Sequence, residues 1–115
     1  MPVELSKSSD YVICALYHEY LRRVKRGAPL SDALSFGDAD YFQPTLFPKW
    51  SVENLSTVCA WLMSKGLLEG AGCGDGVVLD VRLTEEGIIY MENRFSNQLD
   101  TVRAWIETLG SLLPF

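Results

Sequence analysis

The sequence predicts a single α+β domain in which three helices precede a β-hairpin and a C-terminal amphipathic helix follows it. Three observations predict this class. Apolar residues recur at helical spacing before residue 66 and after residue 84. The stretch between them reads as two apolar strands around a glycine-rich turn. The chain has 115 residues, 48% of them hydrophobic, so it removes about 65% of its unfolded surface from water on folding, enough for one core without staples. The longest apolar run covers residues 11–17, far short of the roughly 20 residues that cross a bilayer, and Met1-Pro2-Val3-Glu4 has no basic leader region. A cytoplasmic protein with no membrane partner is expected.

Ser8-Ser9-Asp10 can accept hydrogen bonds from the free N–H groups of a first helical turn, so residues 1–8 read as a tail and the domain as residues 9–95. Ile13, Leu16, Tyr17, Tyr20 and Val24 then mark a helix over about 11–25, which Gly27 and Pro29 end. Between residues 30 and 50 the spacing predicts one short helix near 31–42, then a rigid, extended passage through Pro44 and Pro48. Ser51 is the expected cap of the clearest helix, in which Val52, Leu55, Cys59 and Leu62 form a stripe and Gly66 supplies the left-handed end.

The hairpin runs over 67–83, with four glycines in its tip over 70–76. Strict alternation puts Val77, Leu79, Val81 and Leu83 on one face and Val78, Asp80 and Arg82 on the other. Thr84 caps the next helix, whose Glu85-Glu86 pair suits the positive end of the helix dipole and is no catalytic dyad. Ile88, Met91 and Phe95 point inward from it. In the last segment, 96–115, Leu99, Val102, Ile106, Leu109 and Leu113 form a narrow stripe, either docked on the core or forming a seam between two subunits.

Charge is uneven. Ten Lys/Arg face fifteen Asp/Glu, a formal net charge of −5, and excess negative charge repels nucleic acid at long range. Yet Arg22, Arg23, Lys25 and Arg26 lie within five positions, at a helix end where cations also complement the dipole. Beyond residue 27 only Lys49, Lys65, Arg82, Arg94 and Arg103 are basic, against twelve acidic residues.

Cys14, Cys59 and Cys73 are an odd number at wide spacing, which fits neither a disulfide framework nor a metal motif. With His18 the only histidine, a zinc site would need ligands from three separate elements, so no cofactor or metal is implied. Cys14 and Cys59 read as buried, Cys73 as an exposed thiol, and His18 as a solvated or singly hydrogen-bonded side chain. Nothing assembles a nucleophile with a base, and no enzymatic activity is expected. The glycines over 70–76 lack the lysine and the strand-to-helix context of a phosphate loop.

In this order, the helix over 51–65 running into Gly66-Leu67-Leu68, the glycine-rich tip and the run Leu83-Thr84-Glu85-Glu86-Gly87-Ile88-Ile89-Tyr90 resemble a winged helix-turn-helix. The continuation through Trp105-Ile106 is similar to the small YjcQ-like proteins of bacterial chromosomes and prophages. The resemblance implies that residues 51–65 form a recognition helix and residues 70–76 a wing. A DNA-binding regulator would dimerise through its C-terminal helix, using Asn54, Ser56, Thr57 and Lys65 at the groove and Arg22, Arg23, Lys25, Arg26 and Lys49 on phosphates. The helix has no arginine, however, and the tip carries Asp75 and no cation. The alternative is a protein-interaction module anchored by Trp50, Trp61 and Met63, with Leu99, Val102, Ile106 and Leu109 as a further apolar surface. One form of it is a phage-type counter-defence protein that offers an acidic surface. Trp61 reads equally as core or contact, and Trp105 as core.

Overall fold

The computed structural model describes residues 4–72, 75–95 and 98–114. Helix α1 (Lys7–Lys25) starts one turn before the expected position, because Ser6 is its cap and Ser6 Oγ accepts from the Ser9 N–H at 3.1 Å. Ser9 is buried and Asp10 is used elsewhere, so neither serves as the cap. Val12, Ile13, Cys14, Leu16 and Tyr17 are fully buried, and α1 is the element around which the others pack.

The expected single helix near 31–42 is instead three elements: α2 (Leu30–Leu34), β1 (Ser35–Gly37) and α3 (Ala39–Leu46). Gly37 has φ +84°, a left-handed conformation that a side chain resists, and it turns the chain from strand into helix. Pro44 lies inside α3, so the extended passage expected there is also corrected. The Gln43 side-chain amide holds the following turn, donating to the carbonyls of Phe47 at 3.0 Å and Trp50 at 2.8 Å.

Helix α4 (Val52–Ser64) matches expectation in its cap, with Ser51 Oγ accepting from the Asn54 N–H at 3.0 Å, and in its end, where Gly66 has φ +77°. Strands β2 (Leu68–Ala71) and β3 (Leu79–Leu83) follow, and the antiparallel sheet has the order β1-β3-β2. The strict alternation expected over 77–83 fails at Asp80, which has φ 51° beside a register shift. Val81 and Leu83 are buried as expected, but Val78 is buried too, its backbone pinned by Ser56 Oγ on one side and the Ala39 N–H on the other.

Helix α5 (Glu85–Phe95) is capped by Thr84, whose hydroxyl accepts from the Gly87 N–H at 3.0 Å and donates to the Gly66 carbonyl at 2.6 Å. Helix α6 (Leu99–Leu112) lies along α1. Val102 and Leu109 are buried there, and Leu99, Ile106 and Leu113 pack beside them against the core of the same chain. The stripe expected as a seam between subunits or as a partner surface is therefore covered within the monomer. No helix among the described residues is long and apolar enough to cross a membrane.

Candidate interaction surface

The cap at Ser51 and the buried stripe of Leu55, Val58, Cys59 and Leu62 fix the rotation of α4. Its outer face consists of Glu53, Asn54, Thr57, Ala60, Trp61 and Ser64, all exposed. Trp61 is 48% exposed, an unusual placement for so large an apolar side chain. With Ser64 and Lys65 it borders a cleft of about 280 Å³, closed on the other side by Glu4, Ser6 and Ser9 at the start of α1.

Three expected contacts and one expected core residue are placed elsewhere. Ser56 is 3% exposed and accepts from the Val78 N–H at 3.2 Å, so it braces the hairpin and reaches no groove. Trp50 is buried, stacked on Tyr11 with ring centroids 5.6 Å apart and edge-on to Phe47 at 5.7 Å, so it cannot anchor a partner. Met63 is half-buried against the core. Trp105, expected as core, lies at the surface with 37% exposure. Asn54, Thr57 and Lys65 are exposed as anticipated, although the Thr57 hydroxyl is turned back to the Glu53 carbonyl at 3.1 Å.

The basic cluster divides. Glu19 pairs with Arg22 at 2.5 Å and with Arg23 at 3.1 Å, one carboxylate oxygen to each. Arg23 also donates to the Ser35 carbonyl at 2.8 Å and covers the Phe36 ring at 4.8 Å, which makes it a strut between α1 and β1. Lys25 and Arg26 remain exposed. Thirteen steps along α1 separate Arg22 from Ser9, a rise of about 20 Å at 1.5 Å per residue, and it is Ser9 that lines the cleft beside Trp61. Lys49 is exposed beside Trp50. The described part of the hairpin adds Asp75 and Asp80, and its Arg82 is paired with Glu69 at 3.7 Å. Cys73 and Gly74 of the expected wing tip lie outside the described residues.

A cluster that the sequence did not reveal joins α1, α5 and α6. Arg94 grips both oxygens of Asp10, and Trp105 Nε1 donates to Asp10 Oδ2 at 3.1 Å. The guanidinium also lies over Phe95 at 4.8 Å and Tyr90 at 5.6 Å. Its members are 84 and 95 residues apart, beyond any local spacing rule.

Burial pushes the Cys14 thiol far up, with help from Asp10, and pushes Cys59 to about 12, so both are protonated at neutral pH. Burial, Arg103 and Arg22 lower His18 below its ordinary value. No group of three or more His, Cys, Asp or Glu that could hold a metal occurs among the described residues. Comparison with family models, curated proteins and solved structures finds no match for this chain.

Proposed function

We propose that this chain is a winged-helix-type interaction module that works by binding and not by catalysis, and that the outer face of α4 docks a protein partner around Trp61. The single observation that carries this reading is the composition of that face: a half-exposed tryptophan among Glu53, Asn54, Thr57, Ala60 and Ser64, with no arginine. Protein interfaces concentrate binding energy in such aromatic anchors, whereas DNA affinity comes mostly from cations on phosphates.

The order of elements favours a second reading. Helices α1, α3 and α4 followed by the β2–β3 hairpin stand in the sequence of a winged helix-turn-helix, a DNA-reading architecture, and fold analogy alone would put α4 in a major groove. Under it, Asn54 would face a base edge while Lys25, Arg26, Lys49 and Lys65 met phosphates. The resemblance to YjcQ-like proteins belongs to this architecture and assigns no activity.

Immobilised protein incubated with cell extract tests the first reading. Retention of a partner by the wild type and by Leu112→Ala, a change at an exposed apolar residue of α6, together with loss of at least tenfold in Trp61→Ala, is the expected result. Equal retention by all three proteins overturns the Trp61 assignment.

A further inference from the structure

Helix α4 is 13 residues long, about 20 Å at 1.5 Å per residue, and its outer face stays exposed along that length. That face is nearly its own complement. Glu53 stands at the N-terminal end and Lys65 just past the C-terminal end, and neither makes a salt bridge among the described residues. Between them Trp61 is the one large apolar side chain of the face, while Thr57, Ala60 and Ser64 are small. The residues also pair off about the middle of the helix: Glu53 and Lys65, Asn54 and Ser64, and Thr57 and Trp61 are each equidistant from Cys59 along the chain. An identical helix laid antiparallel, with a two-fold axis near Cys59, therefore sets the unlike members of each pair opposite one another, and every contact is made twice.

We propose that the partner docked by the α4 face is a second copy of this chain, with Trp61 of each copy laid over Thr57 of the other. The proposal rests on the reading of α4 as a protein-docking face and names its occupant. Direction comes from charge. Antiparallel packing sets the Glu53 end of one copy beside the Lys65 end of the other and opposes the two helix dipoles, whereas parallel packing would bring like charges and like dipole ends together. Glu4 lines the cleft beside Lys65 and offsets part of that attraction, so the charges select the orientation and the tryptophan anchors the contact. The small side chains of Thr57, Ala60 and Ser64 let the second backbone come close. Fewer than four turns of helix fall at the small end of specific interfaces, so monomer and dimer exchange.

Sedimentation equilibrium of the intact protein, from about 10 μM to about 1 mM, reads that exchange, and the mass should rise from one copy toward two. Trp61→Ala, at an exposed position, should weaken dimerisation by about tenfold or more. Glu53→Lys and Lys65→Glu should each weaken it about threefold, and the double variant should return to within about twofold of the wild type, a rescue that a loss of helix stability would not produce. In the extract experiment the retained partner is then this chain itself, supplied by cells that express it. A protein that stays monomeric at about 1 mM, a dimer that Trp61→Ala leaves unchanged, or a double variant no better than the single ones overturns the second-copy proposal. A monomer that nonetheless retains a different protein through Trp61 sinks this proposal alone and leaves α4 docking standing.

Discussion

Asp10, Arg94 and Trp105 show how a single residue can hold three helices together. Arg94 is 25% and Asp10 15% exposed at the side chain, so this pair is far better shielded than Arg82–Glu69. Removing one partner of a buried pair costs about 3–5 kcal/mol because the other charge is stranded, and partial exposure lowers the figure here. Arg94→Met should therefore destabilise the chain by about 2 kcal/mol in urea unfolding, and a change under about 0.5 kcal/mol would mean that the pair is not structural. His18 gives a pH prediction of definite sign. Its folded pKa is depressed, so below its ordinary value near 6.5 the unfolded chain binds the extra proton. Stability from this group is complete above that value and falls as pH drops through it toward the lowered folded pKa. Denaturation at pH 7.5 and pH 5.5 should show that loss, and His18→Gln should flatten it. The exposure of Asn54, Thr57 and Lys65 was legible because the α4 stripe fixes which side faces out. The burial of Ser56 was not, since its partner, the Val78 N–H, lies 22 residues away.

At the scale of elements, local grammar carried most of the fold. The Ser51 cap, the Gly66 terminus, the Thr84 cap and the α6 stripe are all in the positions their spacing implies. The misreadings occur where nonlocal contacts outweigh local preference. The region 30–46 splits into α2, β1 and α3 because Ser35 and Gly37 pair with β3, and nothing within that stretch announces a strand. Val78 turns inward because a bulge at Asp80 breaks the period of two. Gly87 is the instructive case. A Cβ there would stand 2.3 Å from the Leu67 carbonyl oxygen, so the first turn of α5 can meet the start of the hairpin only through glycine. Gly87→Ala should cost about 2–3 kcal/mol, whereas Gly72→Ala, with nothing within 4 Å of its Cβ, should change stability by less than about 0.5 kcal/mol. Equal effects in thermal melts would remove the close approach as the reason for this residue.

For the whole molecule, the net charge of −5 matters less than its distribution. Arg22 and Arg23 are bound to Glu19, Arg82 to Glu69 and Arg94 to Asp10, so the cations outside these pairs reduce to Lys7, Lys25, Arg26, Lys49, Lys65 and Arg103. The order of the six helices and the small three-stranded antiparallel sheet among the described residues is compatible with a winged-helix-like fold, and the outer face of α4 carries no arginine. The most direct test is a fluorescence titration of the intact protein against random duplex DNA at low salt. The protein-docking account predicts no binding tighter than about 100 μM, the weak limit of ordinary non-specific affinity. Binding below that value, weakened by Lys65→Gln and by added salt, would contradict it and place DNA on α4.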